Sequence, residues 1–149
     1  MRSFLTVAVA ALACASGSTA SDVAEITPGE PFRLAVGEEM LLPSEDLLVR
    51  FSGVTADSRC PQGVNCFWAG DAAVEVRLTR GEEETSVSVH THGGEKYPRS
   101  AAAFGCTVHL EDVSPYPSAK REIAPEDYVA ILKLTVGEDS ESDQESAAR

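Results

Sequence analysis

The chain has no apolar run long enough to cross a bilayer: the longest, residues 4–15, is about 12 residues against the roughly 20 a membrane-spanning helix needs. It also lacks positive charge, with 12 Lys+Arg against 24 Asp+Glu and a formal net charge of −12. A chain so acidic repels polyanions, which argues against nucleic acid and anionic lipid head groups as partners. No G-x-S-x-G elbow, H-E-x-x-H pair or phosphate-cradling glycine loop occurs, so no catalytic set stands out and no cofactor is implied. The carboxylates gather in Glu82-Glu83-Glu84 and in the C-terminal stretch, where they read as a solvated turn and a solvated end. There is no C-x-x-C motif to support a redox role, and no convincing amphipathic helix.

What is present begins with a leader. Met1-Arg2-Ser3, the apolar run and the small polar stretch Ser16-Gly17-Ser18-Thr19-Ala20 follow the layout of a secretory signal peptide over residues 1–20, with a cut after Ala20. Leu12-Ala13-Cys14-Ala15 loosely matches a lipobox, although Ala11 stands where Leu is usual. Lipidation at Cys14 is therefore the rival, and a lipid anchor there would be the one route to a membrane. Either way the domain folds outside the cytoplasm, as a periplasmic, secreted or envelope-anchored protein.

The 149 residues suit one core. Residues 21–31 mix Pro, Gly and charge without period and read as a tether, residues 32–137 as the β domain, and residues 138–149 as a disordered acidic tail that cannot offset its ordering entropy. Within the domain, residues 32–36 and 40–42 flank Gly37 in a hairpin-like pattern, and Leu47, Val49 and Phe51 share one face of a half-buried strand. The cleanest alternation, Ala72, Val74, Val76 and Leu78 inward, is followed by a polar turn and a return strand over residues 85–91. Residues 92–105 read as a loop. The only places for a helical turn are the Ala-rich patch 100–104 and residues 125–127. Cys106, Val108 and Leu110 point inward on a strand that Pro115 and Pro117 end, and residues 128–136 suit a central strand. About seven short strands predict an all-β fold, a small antiparallel sandwich or barrel.

The most distinctive residues are Asp57-Ser58-Arg59-Cys60-Pro61-Gln62-Gly63-Val64-Asn65-Cys66-Phe67-Trp68-Ala69-Gly70. Here the chain resembles a group of small bacterial exported proteins and lipoproteins that carry a D-S-R-C-P-x-x-x-x-C-x-W-x-G box between two strands. Ser114-Pro115-Tyr116-Pro117 and Asp127-Tyr128 resemble the same group's ending. The resemblance implies a compact β domain in the cell envelope and brings no activity with it; Cys106 is a departure from the pattern.

The box has a physical reading of its own. Cys60 and Cys66 close a short loop, and such a crosslink contributes roughly 2–2.5 kcal/mol in the chain-entropy model. Pro61 and Gly63 make a tight turn inside it easy to build. Trp68 is placed to cover the disulfide as a core plug, while Asp57 and Arg59 bond loop backbone or pair with each other, and Gly70 closes the box. The functional alternative presents Arg59-Cys60 as a protease-inhibitor-like loop.

The histidines raise metal binding. His90 and His92 stand two apart, on one side of a strand if the strand continues, and His109 completes a three-imidazole copper or zinc site if its strand is a neighbour. Plain surface histidines are the simpler reading, and no metal is assigned. With Cys14 in the leader, Cys106 is left over as a small buried thiol. The leading expectation is a non-catalytic envelope or periplasmic module, binding or structural, with an unnamed partner: an envelope protein, a glycan or a small ligand.

Overall fold

The computed structural model describes residues 23–137. The leader, the cut after Ala20, Cys14 and the acidic tail lie outside the described residues. Eight strands run in chain order: β1 Pro31–Ala35, β2 Glu39–Leu42, β3 Leu47–Asp57, β4 Ala72–Arg80, β5 Glu83–His90, β6 Ser100–Ala103, β7 Cys106–Ser114 and β8 Val129–Val136. Two single-turn 3-10 helices, Pro43–Glu45 and Pro125–Asp127, each begin with proline, whose fixed φ suits a first helical position.

The strands form two four-stranded antiparallel sheets, ordered β1-β8-β7-β6 and β2-β3-β4-β5. Their inner faces are the alternate apolar positions. Leu47, Val49, Phe51, Ala72, Val74, Val76 and Leu78 from one sheet meet Leu34, Val108, Leu110, Ala130, Leu132 and Leu134 from the other, all buried. Full burial of a large aliphatic or aromatic side chain contributes roughly 1.5–3 kcal/mol, so this layer is what makes the two sheets one body. Cys106 is unpaired and buried in it, and burial raises its thiol above the ordinary range.

Three local expectations are corrected. Residues 32–36 and 40–42 do not pair with each other: β1 pairs with β8 and β2 with β3. At the turn the chain changes sheets, with the Val36 amide donating to Tyr128 and that of Gly37, at φ 85°, to Phe51. The loop read over residues 92–105 contains β6, a short edge strand paired with β7; the Ala-rich patch is strand, not helix. The stretch read as a tether is docked from Ala24 onward, since Ile26 is buried and its amide donates to Leu41 while that of Gly29 donates to Leu134.

The sandwich has two unlike ends. One carries three long loops: residues 58–71 between β3 and β4, residues 91–99 between β5 and β6, and residues 115–128 between β7 and β8. The other carries the tight turns after β2, β4 and β6, together with the points where the described chain enters near Leu41 and leaves at Gly137 beside Gly105.

Candidate functional site at the loop end

The three long loops are tied into one structure. Asp57, at the end of β3, accepts from the Arg59 Nε at 2.9 Å and Nη2 at 2.7 Å. Arg59 then reaches across to the other sheet, donating through Nη1 to the Val113 carbonyl at 2.7 Å and through Nη2 to the Pro115 carbonyl at 3.0 Å. The Tyr128 hydroxyl donates to Asp57 at 3.0 Å. Arg59 is only 6% exposed, and its guanidinium lies 4.9 Å from the Tyr116 ring centroid, a cation–π contact.

Burial opposes charge on both members of this pair. The mutual hydrogen bonds and attraction outweigh it, holding the Asp57 carboxyl below its usual range and the Arg59 guanidinium above its own. Burial, and then the bond to the Asp57 carboxylate, push the Tyr128 hydroxyl up.

Cys60 and Cys66 form the disulfide, with Cα atoms 5.9 Å apart. The stem below it is a narrow backbone ladder, Ser58 to Asp71 and Cys60 to Ala69. Gly70 sits in it at φ 71°, where a Cβ would overlap the Ser58 carbonyl, so only glycine fits. The Gln62 amide donates to Pro117, joining the disulfide loop to the β7–β8 loop.

Asp71 joins it to the β5–β6 loop. It binds His90 Nδ1 at 2.6 Å, the Thr91 hydroxyl at 3.2 Å and the His92 amide at 2.9 Å. Burial alone would raise the Asp71 carboxyl; these contacts, His90 first, hold it below the usual range.

One expected role is overturned. Trp68 does not plug the core: it is 78% exposed beside Phe67, which is 99% exposed, with ring centroids 6.3 Å apart. The inner faces are already filled by aliphatic side chains and Phe51, and the disulfide loop projects beyond them. The expected pairing of Asp57 with Arg59 is present, and it holds the guanidinium beneath the loop.

The three histidines do not converge. His90 ends β5 and is held by Asp71, and His92 lies past the strand. His109 is on β7 of the other sheet, its Nε2 3.1 Å from the Thr135 hydroxyl. The neighbouring strands that the three-imidazole site required are absent from the pairing. Among the described residues no group of three His, Cys, Asp or Glu is arranged to hold a metal.

Sequence reasoning missed Asp71, Tyr97 and Arg99. Tyr97 packs against the rings of both His90 and His92, and Arg99 donates to the carbonyls of Leu110 and Glu111. A nucleophile-like chain was missed as well: His90 Nε2 lies 3.4 Å from the Ser88 hydroxyl, with Asp71 on the other ring nitrogen. That order is the carboxylate–imidazole–hydroxyl relay. Ser88, however, lies exposed on edge strand β5, and the three bonds Asp71 makes serve to clamp two loops.

Between the loops lies a cleft of about 270 Å³, walled by Arg59 and Gly70, by His92 and Arg99, and by Asp112 and Tyr116. A second cleft of about 160 Å³ opens beyond Tyr116, lined by Ser118, Arg121, Ile123 and Asp127. The charges of the three loops cancel: Arg59, Lys96, Arg99, Lys120 and Arg121 stand against Asp71, Glu95, Glu122, Glu126 and Asp127. Asp57, paired with Arg59, and Asp112, in the cleft wall, add two acids at the loop bases, so this end is mildly acidic as well as aromatic. No family model, curated protein or solved structure matches the chain.

Proposed function

We propose that this protein is an exported, non-catalytic binding module of the bacterial envelope or periplasm, and that it engages its partner through the loop end. One observation carries the reading. Among the described residues the exposed large hydrophobics are Val64, Phe67, Trp68, Tyr97 and Tyr116, and all five belong to the three loops. Exposed apolar side chains scattered singly need no explanation, but gathered at one end they mark an interaction surface. Trp, Tyr and Arg are also the side chains that dominate binding energy at interfaces. The disulfide and the polar clamps hold those rings on a fixed frame, which lowers the ordering cost of binding.

The leader and the disulfide support export, since such crosslinks persist in oxidising compartments. The described chain enters at the opposite end, so a tether or lipid there would leave the loops facing outward. A Cys14→Ser protein that is still processed and released assigns the cut to Ala20; one that is retained as an unprocessed precursor assigns lipidation instead.

The test of the binding end is capture from envelope extract by the purified, oxidised protein and by a Phe67→Ala/Trp68→Ala double variant of unchanged circular dichroism. Loss of two such anchors, at about 2 kcal/mol or more for a hot-spot side chain, is expected to abolish capture of the specific partner. Undiminished capture by the double variant would refute the reading.

A further inference from the structure

Resting on that reading, the geometry points to a ligand class: we infer that the paired clefts either side of Tyr116 bind a neutral oligosaccharide. Of the hydrogen-bonding groups that line the larger cleft, Arg59 and Thr91 are committed within the protein, whereas Arg99 and Asp112 keep capacity of both kinds. Arg99 is anchored by two backbone carbonyls through Nε and Nη2, which leaves three of its five N–H donors. Asp112 accepts the Val113 amide through Oδ1 and keeps Oδ2. Among the described residues neither Arg99 nor Asp112 forms an ion pair. A cation and an anion thus line one cleft without a direct ion pair between them.

A sugar hydroxyl is donor and acceptor at once, so vicinal hydroxyls satisfy such a set, whereas a purely anionic ligand would meet Asp112 and the negative field of the whole chain. Arg59 adds no net charge, because Asp57 holds it.

Tyr116 supplies the apolar half of the site. Its ring is half exposed, fixed on one side by the Arg59 guanidinium, and common to both clefts. A planar ring between polar groups is what the C–H face of a pyranose packs on, and few convergent polar groups among apolar ones is the usual make-up of a ligand site. The larger cleft falls just short of the ~300 Å³ at which drug-sized sites begin, which suits a single sugar ring. The smaller cleft is of a different kind: its Arg121 and Asp127 already pair at 3.4 Å and are exposed, with Ser118 beside them. Two adjoining clefts that meet at Tyr116 favour a chain of sugars over a lone monosaccharide.

The test is calorimetric titration of the purified, oxidised protein with a panel of neutral oligosaccharides: gluco-, manno- and galacto-oligomers and N-acetylhexosamine oligomers. Binding of at least one of them is expected with a Kd on the order of 0.1–1 mM, the weak range open clefts support. Asp112→Asn keeps the bond to the Val113 amide and removes the charged acceptor, and is expected to weaken binding about tenfold or more. Tyr116→Phe should bind as the parent does, and Tyr116→Ala should not bind. No heat with any member of the panel overturns the inference, as does binding that Asp112→Asn and Tyr116→Ala both leave unchanged. If the panel fails while Phe67→Ala/Trp68→Ala still abolishes capture from envelope extract, the ligand class is wrong and the binding end stands.

Discussion

Arg59 is a cation withdrawn from water at the rim of a hydrophobic sandwich, and its neighbours explain how that is tolerated. Two bonds to Asp57 and two to backbone carbonyls of the opposite sheet replace most of its hydration. Removing one partner of such a pair strands the other charge, which costs about 3–5 kcal/mol. Arg59→Ala is therefore expected to lower the urea-unfolding free energy by about that much, and a loss under about 1 kcal/mol would contradict the role given to it. Trp68→Ala, by contrast, is expected to stay within about 0.5 kcal/mol, as surface substitutions do. The lone tryptophan reads as core and stands exposed, whereas Arg59 reads as a partner of Asp57 and is one, with two further acceptors that the sequence does not reveal. Side-chain type is legible in a sequence, whereas the carbonyls of Val113 and Pro115 that receive the guanidinium lie more than fifty positions away.

At the level of elements, what was legible was what is local. The β4–β5 hairpin follows from alternation on both arms and a short polar turn, and its register holds from Ala73 opposite His90 to Arg80 opposite Glu83. Alternation cannot say which distant strand is the partner, so β1 and β2 were wrongly joined. Nor does it exist in Ser100–Ala103, where three alanines carry no pattern. The disulfide was legible from spacing, but the stem that aims it depends on Gly70. Gly70→Ala adds a clash with the Ser58 carbonyl to the strain of a positive φ, and should cost about 1–3 kcal/mol. Gly81→Ala, with φ 58° and open space around it, carries the strain alone. Thermal unfolding should therefore show Gly70→Ala as clearly the worse of the two; equal shifts would mean that close backbone approach in the stem is unimportant.

At the scale of the whole molecule, pH acts on the loop end through two carboxylates. Asp57 and Asp71 both titrate lower in the folded protein than when unfolded. Their contribution is thus complete well above the unfolded value of about 3.9 and is lost as pH falls through the depressed folded values. The urea midpoint is expected to hold from pH 7 to about 5 and to fall below about 4, although relief of charge repulsion elsewhere works against the fall. An unchanged midpoint at pH 3 would show that these bonds contribute little. The orientation of the molecule was not legible in the sequence, because the clustering of Phe67, Trp68, Tyr97 and Tyr116 exists only once three loops distant along the chain are folded to one end. The most direct test of that polarity is photo-crosslinking in the intact envelope, with the photoreactive residue placed at position 68 in one protein and at position 82, in the turn between β4 and β5, in another. Discrete adducts from position 68 and none from position 82 are the predicted result. The reverse pattern, or equal labelling from both ends, would contradict the account.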